Sequence, residues 1–550
     1  MSKKDALACQ VSLGLFAGLL GIASTAHGAP IYDGGTIKGD SVKAGHVTLN
    51  DPNNATSITS NTENNVIGWK DFSIKSGETV QFDAHSYLNI VTGNVTSHID
   101  GEMRGGNNVY IANSHGVIFG DGASVDVGNL YVTTQDLTGV DYSQAANSSK
   151  IGNGTVIDTS TGKAAESAKA DVVSLIDGSG SLKANKIVLE GRSVRIMNDA
   201  ALQSPTSGGT PEVYALADTR SLKAGKSDKE VRSYTGYVHV GHTNTGASPA
   251  DALPTVGAAG KYKNLTGDNL YKLIGSEYEL EHMELNKNYM LRSNIALTGT
   301  HTPIGTSTDP FKGRFDGMFH EISGLTLGAG TSTEYTGLFG TTDGATIMNV
   351  GLKNANLSAV QYGGGLVGHA KGNTVISAVY NESTTSIGAG SYAGGIVGML
   401  DGSSLDHAYN TATVTQGGGL AGAITGNVKI YAVYNTGTTT GGVSAGVYQV
   451  LDNYVAGSFI KDAYTTTADL TPSTTQDFIF NSYTKNSNGK ASLVVPSGTS
   501  TTGDAKQATT YEGWDISDEG GANTTWRIFA GQTTPLLTAF MKGTVQAEYS

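Results

Sequence analysis

The feature that most constrains this chain is an internal repeat in its second half. Three glycine-rich elements, GGLVG, GGIVG and GGLAG, begin at Gly364, Gly394 and Gly418, and each is followed by a Tyr-Asn pair. The repeat is roughly 24 to 30 residues long, a period typical of solenoids. A unit of this length cannot bury its own apolar face, so neighbouring repeats must stack to build a continuous core. The repeat therefore predicts a solenoid.

The recurring residues of this repeat are predicted to be structural. Glycine permits a tight corner with the following aliphatic pair pointing inward, and an asparagine at the same place in successive coils can form a ladder along a turn. The predicted repeat residues are Gly364, Gly368, Tyr380, Asn381, Gly394, Gly398, Tyr409, Asn410, Gly418, Gly422, Tyr434 and Asn435.

The first half of the chain reads as a series of short strands. From 31 to 134, short runs are broken by Gly, Asn or Asp, and apolar residues alternate with polar ones at 79–82 and 124–127. No amphipathic helix interrupts these runs, although parallel strands usually need one as a crossover. Coiling of the strands themselves removes that need. We predict an all-β fold, a right-handed parallel β-helix (β-solenoid) with a repeat-built C-terminal half.

Composition divides the chain into segments. Stretches rich in Ser, Gly, Ala, Thr and Pro at 147–169 and 204–254 are interpreted as loops or insertions, and 269–283 as one short helix. The predicted organisation is a signal peptide (1–28), an N-terminal β-helix domain (29–255), a connector with the short helix (256–288), a repeat-built β-solenoid (289–540) and a tail (541–550).

The N-terminus has the pattern of a secretory signal peptide. Lys3 and Lys4 precede an apolar stretch at 11–22, and small residues follow, with cleavage expected near Gly28. The chain's single cysteine, Cys9, lies inside this segment, so the mature protein is expected to contain no disulfide. We predict a secreted or bacterial cell-surface protein that passes through the periplasm.

Charge and chemistry exclude several function classes. The net charge is −13 and only 15% of residues are charged, so nucleic acid is an improbable partner. The histidines lack metal-binding spacing, and Asp121 and Asp126 lack the remaining ligands of a calcium loop. Asp316 precedes a glycine after a strand and is interpreted as a turn residue. We predict no metal, no cofactor and no catalytic residue.

Residues 31–134 resemble the haemagglutination-activity, or two-partner-secretion, domain of filamentous-haemagglutinin-like exoproteins. The motifs that carry the resemblance are Trp69-x-x-Phe72, Asn89-Ile-Val-Thr-Gly93, Asn108-Val-Tyr-Ile-Ala-Asn113 and Gly116-Val-Ile-Phe-Gly120. The resemblance implies export by a partner outer-membrane β-barrel transporter with periplasmic recognition modules. It also implies a transporter-recognition or secretion motif at Asn89, Thr92, Gly93, Asn113 and Gly116. The family's Asn-Pro-Asn-Gly motif is here Asn113-Ser-His-Gly116, which departs from the pattern at its two central positions.

Residues 289–435 are similar to the GLUG-motif repeats of bacterial surface proteins. The similarity includes Pro303-Ile-Gly305, Phe315-Asp-Gly317 and Gly337-Leu-Phe-Gly340 ahead of the three glycine-rich elements.

Together these features predict an adhesin that binds host cells or surfaces, through a glycan or a surface protein, with an elongated rod of roughly 18 to 22 coils. A secreted β-helix enzyme acting on polysaccharides is the alternative, and it would need one face dense in Asp, Arg and Lys. A toxin carrier is a third hypothesis, and it would need a distinct C-terminal catalytic domain, which we do not expect.

Overall fold

The computed structural model describes most of the chain from residue 30 to residue 540. The described residues are 30–51, 55–152, 156, 172–175, 180–197, 201–217, 219–223, 231–235, 237–242, 261–327, 334–359, 361–383, 387–440, 447–454, 459–465, 479–480, 482–485, 491–494, 502–503, 508, 511, 514, 516–518, 525–529, 532–533 and 535–540. The predicted signal peptide (1–28), the tail (541–550) and most of the predicted loop at 147–169 lie outside them. The second predicted loop, 204–254, is largely described and contains strands at Glu212–Ala217, Thr219–Lys223, Val231–Thr235 and Val238–His242, so the loop interpretation is wrong for much of its length.

Short strands dominate the first half of the described chain, with one helix, α1 (Ala145–Gly152). The strands are β1 (Ile31–Tyr32), β2 (Val47–Asn50), β3 (Ala55–Ser60), β4 (Asn64–Asp71), β5 (Thr79–Phe82), β6 (Ser86–Val91), β7 (Ser97–Ile99), β8 (Glu102–Gly105), β9 (Asn108–Ala112), β10 (Val117–Phe119), β11 (Ser124–Asp126), β12 (Asn129–Thr133), β13 (Val172–Leu175), β14 (Ser181–Lys183), β15 (Lys186–Gly191), β16 (Val194–Ile196), β17 (Leu202–Gln203), β18 (Glu212–Ala217), β19 (Thr219–Lys223), β20 (Val231–Thr235) and β21 (Val238–His242).

The second half continues in the same way, with helix α2 (Glu277–Glu281) and 3-10 turns at Gly267–Asn269 and Thr538–Phe540. Its strands are β22 (Leu270–Ile274), β23 (Tyr289–Leu291), β24 (Ile295–Ala296), β25 (Arg314–Ser323), β26 (Thr326–Leu327), β27 (Tyr335–Thr336), β28 (Phe339–Asp343), β29 (Thr346–Lys353), β30 (Asn356–Ala359), β31 (Tyr362–Gly364), β32 (Val367–Lys371), β33 (Val375–Glu382), β34 (Ile387–Gly394), β35 (Val397–Asp401), β36 (Ser404–Asn410), β37 (Val414–Gly418), β38 (Ala421–Gly426), β39 (Lys429–Asn435), β40 (Thr439–Thr440), β41 (Tyr448–Tyr454), β42 (Phe459–Thr465), β43 (Ile479–Phe480), β44 (Ser482–Lys485), β45 (Ala491–Val494), β46 (Thr502–Gly503), β47 (Ile516–Ser517), β48 (Trp526–Arg527) and β49 (Leu536–Leu537).

Successive coils stack in parallel and in register, which confirms the predicted parallel β-solenoid. Leu88 pairs with Tyr110, and Tyr110 pairs with Tyr131, so these coils are short and nearly equal in length. Tyr131 then pairs with Val188, a much longer step along the chain, so the segment between them is mostly an insertion. In the repeat half Tyr380 pairs with Tyr409, and Tyr409 pairs with Tyr434.

Each coil contributes strands to the faces of a prism, and one face is common to both halves. That face, called the third face, runs through β7, β10, β13, β16, β21, β22, β23, β25, β29, β33, β36, β39 and β42. In the first half the other two faces are β4-β6-β9-β12-β15-β18 and β3-β5-β8-β11-β14-β17. The solenoid is therefore continuous from the N-terminal domain into the repeats.

Alternation of side chains places the apolar core inside the coils. In β11 Val125 is buried while Ser124 and Asp126 are exposed, and in β5 Val80 and Phe82 are buried. Each such aliphatic or aromatic side chain contributes roughly 1.5–3 kcal/mol when it leaves water. The same stacking that builds the sheets therefore builds a core along the axis.

The helix predicted over 269–283 is mostly wrong. Leu270–Ile274 is a strand that pairs in parallel with β21 and β23, and only Glu277–Glu281 is helical. All five side chains of the strand are buried, because the segment fills a sheet position between two neighbours that supply its backbone partners. Gly275 separates the strand from Ser276, whose side chain accepts a hydrogen bond from the backbone N–H of Glu279 and begins the helix.

The number of coils is smaller than expected. The described residues form about 12 turns rather than the roughly 18 to 22 coils predicted from length. Insertions such as the one between Tyr131 and Val188 add residues without adding coils. The described parts of 508–540 also pack on the outside of the repeats instead of extending them. No helix within the described ranges is long and apolar enough to cross a membrane.

A row of left-handed residues runs along the third face in the repeats. Asn349, Ala378, His407 and Ala432 have φ of 55°, 52°, 48° and 50°, and the pairing on either side aligns them in successive coils. Residues with a Cβ are strained in this region by roughly 1–2 kcal/mol. The row bends each strand at the same place, and its alanines carry most of that strain since asparagine tolerates it.

Ala378→Gly is expected to stabilise the protein by about 0.5–1 kcal/mol, because glycine relieves the left-handed strain and loses only part of that gain to chain entropy. The measurement is the free energy of unfolding in denaturant. The control is Ala408→Gly, at a fully buried strand position without a positive φ, which is expected to destabilise by about 1 kcal/mol or more. Equal effects of the two changes would contradict the strain argument.

Candidate functional site

The first coil is closed at its outer edge by side chains. The strand β1 pairs antiparallel with β4 over two positions. Beyond it, the N–H of Gly68 donates to Asp40 Oδ2 at 2.9 Å, and the N–H of Val66 donates to Ser41 Oγ at 3.0 Å. The N–H of Asp33 in turn donates to the carbonyl of Gly68 at 3.1 Å. These groups stand where a further strand would pair, so the edge is not open to strand addition.

Two buried carboxylates hold this cap together. Asp33 and Asp40 are only 8% and 2% exposed. Asp33 Oδ2 accepts from the Thr92 hydroxyl at 3.2 Å, and Asp40 Oδ1 accepts from the Tyr32 hydroxyl at 3.0 Å. A Cβ at Gly68 would lie 2.3 Å from Asp33 Oδ2, so glycine is required there. Burial, and then the adjoining Asp40, raises the pKa of Tyr32 above its ordinary value, which keeps the phenol a donor.

Asn89 supports the core behind the cap. Its side chain is fully buried, its Oδ1 accepts from Trp69 Nε1 at 3.0 Å, and its Nδ2 donates to the Tyr110 carbonyl at 3.0 Å. Trp69 lies against Phe72 and Tyr32, with ring centroids 5.4 and 6.5 Å apart. An amide inside an apolar core costs free energy unless its polar atoms are paired. Asn89 meets that condition by joining three successive coils.

Thr92 and Gly93 form the corner after β6. The N–H of Thr92 donates to the Trp69 carbonyl at 2.7 Å, and its hydroxyl reaches Asp33 in the cap. A Cβ at Gly93 would lie 2.1 Å from the carbonyl oxygen of Lys70 in the coil before. The glycine is needed for close stacking of corners.

Asn113 and Gly116 form the same corner one coil later. Asn113 is fully buried, and its Nδ2 donates to the Val95 carbonyl at 2.9 Å and to Ser97 Oγ at 3.0 Å. Its Oδ1 accepts from the His115 N–H at 2.9 Å, and Gly116 has a φ of 102°. The turn closes without the family's proline, because an asparagine side chain and a left-handed glycine are enough for its geometry.

The structure thus brings four of the five sequence-predicted motif residues, Thr92, Gly93, Asn113 and Gly116, to one corner of two successive coils, the motif corner, and it places Asn89 within β6 just before that corner. Both asparagine side chains are inaccessible in the folded domain. Asn113 holds the corner internally, and Asn89 holds the strand before it.

The repeat asparagines also lie inside a corner. Asn381, Asn410 and Asn435 are fully buried at aligned positions. Asn410 Nδ2 donates to Asn435 Oδ1 at 2.9 Å and to the Ala412 carbonyl at 2.9 Å, while Asn381 Nδ2 donates to the Gly395 carbonyl at 2.7 Å. The asparagines form a ladder that satisfies backbone groups at each turn.

The repeat glycines have a different role from the one expected. None of the six has a positive φ, so the corner does not need a left-handed residue. A Cβ would instead meet the backbone of the same or an adjacent coil, 2.1 Å from the Val367 carbonyl oxygen at Gly364 and 2.0 Å from the Val397 carbonyl oxygen at Gly394. The same crowding applies to Gly368, Gly398, Gly418 and Gly422.

The repeat tyrosines stack on the outside of the third face. Ring centroids are 5.0 Å apart for Tyr380 and Tyr409 and 4.8 Å apart for Tyr409 and Tyr434. The hydroxyls of Tyr380 and Tyr409 donate to Glu321 at 2.5 Å and to Glu382 at 2.6 Å. Burial, and then these carboxylates, raises the pKa of Tyr380 and Tyr409 far above the ordinary value.

A C-terminal cover, defined as the described parts of 508–540, buries this tyrosine row. Its side chains form one apolar cluster with the row and with Ala432. The buried members from the cover are Tyr511, Trp514, Trp526, Ile528 and Leu537. The tyrosines are therefore packing residues rather than an exposed surface.

A second tyrosine row, on the β27-β31-β34 sheet, is only half-buried. Tyr335 and Tyr362 have ring centroids 5.2 Å apart, and Tyr362 and Tyr392 are 5.1 Å apart. We call these three residues the open tyrosine row. The described residues include no group of three or more His, Cys, Asp or Glu that is placed to hold a metal ion.

Comparison with known proteins identifies the N-terminal part. Residues 34–300 match the family model described as the TPS secretion domain. The chain contains a two-partner-secretion domain. We call 34–300 the export domain, and the motif corner and the cap both lie in or beside it. The similarity of 289–435 to GLUG-type repeats stays a prediction.

Curated relatives cover only part of the chain. A heme/hemopexin-binding protein of Haemophilus influenzae is 34% identical over 118 residues, which is 21% of this chain and 13% of that protein. A second protein of the same name and species is 38% identical over 76 residues, 13% of this chain and 8% of that protein. The matches thus span a small fraction of either relative.

Among solved structures, the chain is similar to the HMW1 secretion domain from Haemophilus influenzae. The comparison covers 80% of this chain and 95% of that one, at 13% identity and a TM-score of 0.21. A score this low carries no argument about shared architecture.

Sequence reasoning missed the cap of the export domain. Asp33, Asp40 and Ser41 sit in a glycine-containing polar stretch that resembles every other turn of the chain. The only available signal was their place at the start of the strand series, where a solenoid needs something to close its end. Asp316 was also misread, because it lies fully buried within β25 and not in a turn.

Proposed function

We propose that this chain is an adhesin exported by a partner outer-membrane β-barrel transporter with periplasmic recognition modules. The observation that supports it is the match of 34–300 to the TPS secretion domain. In the proposed route, the transporter recognises the export domain before it coils, and the remainder follows through the outer membrane to fold outside the cell.

The geometry of the first coil suits such export. The cap closes the outer edge of β4, so growth has a defined starting end. Each later coil adds in-register strands to the one before it, and the buried motif asparagines form their hydrogen bonds only as a coil is completed. Coil-by-coil folding outside the cell would oppose return of the chain without any external energy source.

Export is tested by producing the full chain in cells with and without the partner transporter and measuring the chain in the medium or on the surface. Secretion that needs the transporter supports the proposal, and secretion indifferent to it overturns the two-partner route. Asn113→Ala is expected to reduce export, because the corner loses its internal hydrogen bonds. Asn94→Ala, at an exposed position of the neighbouring turn, is the matched control and is expected to leave export unchanged.

We propose that the exported rod binds a host glycan or surface protein through the open tyrosine row. These half-buried rings stack at a spacing of about one coil, and tyrosine combines apolar contact with a hydrogen-bonding tip. The triple variant Tyr335→Ser, Tyr362→Ser, Tyr392→Ser is expected to lower binding to host cells at least tenfold. Tyr278→Ser, which changes a tyrosine that is 59% exposed and lies outside both tyrosine rows, is the control. Unchanged binding by a normally secreted triple variant would contradict this surface.

The proposed function is non-enzymatic. The pair His239 and Asp316 is enclosed, so a polymer substrate has no approach to it. The heme and hemopexin binding named for the relatives is not extended to this chain, because the match covers 13% or less of those proteins.

A further inference from the structure

A buried polar cluster lies where the export domain meets the repeats. His239 is in β21, inside the matched range, and Asp316 is in β25, beyond it. His239 Nδ1 is 2.6 Å from Asp316 Oδ2, and the two residues are 4% and 0% exposed. Two strands, β22 and β23, lie between β21 and β25 in the order of the third face. The contact therefore links parts of the fold that backbone pairing does not join directly.

The repeats supply the remaining partners of this carboxylate. Asp316 Oδ1 accepts from the Met318 N–H at 2.9 Å and from Asn349 Nδ2 at 2.9 Å. Asn349 Nδ2 also lies 3.3 Å from the Tyr237 hydroxyl in the export domain. Hydrogen bonds therefore cross the junction in both directions.

Charged and aromatic groups enclose the pair on all sides. Arg195 hydrogen-bonds the Tyr237 hydroxyl and lies 4.5 Å from the Phe319 ring centroid and 5.0 Å from that of Tyr237. The Tyr271 ring lies 4.4 Å from the His239 ring. Arg314, in β25, adds a second guanidinium close enough to act on His239 and Tyr271. A further positive charge here would face two arginines and one carboxylate.

Strain is stored beside the pair. Met318 and Phe319 have φ of 49° and 63°, a region that bulky residues avoid at a cost of roughly 1–2 kcal/mol each. Such a conformation persists only where its surroundings hold it. Here the Asp316 carboxylate holds the Met318 N–H, and Arg195 holds the Phe319 ring. Loss of the pair would release this bend.

We propose that the His239–Asp316 pair is an acid-sensitive latch that fastens the export domain to the repeats. At neutral pH His239 is uncharged and donates its Nδ1 proton to the Asp316 carboxylate. Protonation of the second ring nitrogen in acid places a positive charge in a fully enclosed site beside Arg195 and Arg314. The junction then opens locally while the coils on either side stay folded.

The direction of the pH effect follows from linkage. Burial lowers the pKa of His239 below its ordinary 6.5, and this outweighs the opposing hydrogen bond from Asp316. For Asp316, burial raises the pKa, but the contact with His239 and the charge of Arg195 lower it below 3.8 overall. Because the pKa of His239 is lower in the closed junction than its ordinary value, the closed junction has its full stability above pH 6.5. That stability is lost as the pH falls below 6.5. The carboxylate acts only at a much lower pH.

The test is hydrogen–deuterium exchange of the full secreted chain at about pH 7.5 and about pH 5.5, corrected for intrinsic exchange rates. Peptides containing β21, β25 and β29 report the junction, and a peptide containing β6 is the internal reference. Junction protection is expected to fall at the lower pH, by up to about tenfold, because the opening constant rises by at most tenfold for each pH unit below 6.5, while the reference stays constant.

Two variants separate the latch from general acid sensitivity. His239→Asn keeps a donor toward Asp316 without a titrating group, so its junction protection is expected to be the same at both pH values. His46→Asn removes an exposed histidine and is expected to show the same change as the unmodified chain. Junction protection that is independent of pH in the unmodified chain, or that falls equally in His239→Asn, overturns the proposal.

Asp316→Asn gives an independent check if His239→Asn folds poorly. Removing the carboxylate is expected to leave the junction open already at about pH 7.5, with no further loss at about pH 5.5. Junction protection at the level of the unmodified chain in this variant also overturns the latch.

Discussion

Replacing Trp69 by alanine is expected to lower the free energy of unfolding by about 4 kcal/mol or more. The side chain is 1% exposed and packs against Phe72 and Tyr32 at the capped end of the core. Removing it leaves a large cavity, at roughly 3–5 kcal/mol, and leaves Asn89 Oδ1 without its indole donor, at roughly 1–3 kcal/mol more. Denaturant unfolding of the purified chain measures the change.

Trp69→Phe is the matched control. It keeps most of the apolar volume but still removes the donor to Asn89, so its effect should fall between the alanine variant and the unmodified chain. A loss below about 1 kcal/mol in Trp69→Ala would show that the cap does not determine the stability of the first coils.

Replacing Trp526 by alanine is expected to detach the C-terminal cover. Trp526 is fully buried, and its ring centroid lies 5.1 Å from that of Trp514 and 5.8 Å from that of Tyr434. Its removal costs roughly 3–5 kcal/mol. The cover loses this stabilisation, because its short strands pair only with one another. Fluorescence of Trp514 should shift to the red, and proteases should cleave the cover.

The unfolding of the coils themselves should change little in Trp526→Ala, because the inner core does not include this residue. Trp526→Phe should retain the cover. Continued protection of the cover in the alanine variant would contradict the assignment of the tyrosine row as its packing surface.

The parallel solenoid was predictable because its signals are local. Val125 between Ser124 and Asp126 marks an inward residue, and the spacing of the Tyr-Asn pairs gives the coil length directly. Short strands without crossover helices leave few other architectures. The buried asparagine ladder follows from the same spacing, since equal positions in stacked coils must meet.

Other features depend on contacts distant in sequence. The apolar residues of Leu270–Ile274 fit a helix or a strand equally, and only the neighbours β21 and β23 decide between them. Asp316 was read as a turn residue because its partner, His239, lies far back along the chain. Trp526 contacts Tyr434 across a similarly long stretch of sequence, so no periodicity in the sequence predicts the cover.

The secretion motif illustrates a different difficulty. The residue types were identified from a resemblance, but neither spacing nor composition shows that Asn89 is a buried support of the core and Asn113 a buried support of a corner. Glycines are similar in this respect. A tight corner and a close approach between coils both require glycine, but for different reasons. Only the distances from each glycine to neighbouring backbone atoms show which reason applies.

The central claim, that the exported chain folds as parallel coils in register, is tested by disulfide formation between engineered cysteines. The single natural cysteine is Cys9, so the mature chain is expected to offer a clean background. Ser124 and Ser181 are register partners in β11 and β14, although they are far apart in the sequence. Stacked coils are about 4.8 Å apart, within the Cα separation that a disulfide spans.

The measurement is mass spectrometry of the chain collected outside the cell, comparing Ser124→Cys/Ser181→Cys with Ser124→Cys/Lys183→Cys. Lys183 lies two positions out of register, at a Cα separation of about 8 Å, which a disulfide does not bridge. The account predicts a linked peptide pair in the first variant and none in the second. Linkage in the second variant, or in neither, would contradict the in-register parallel solenoid.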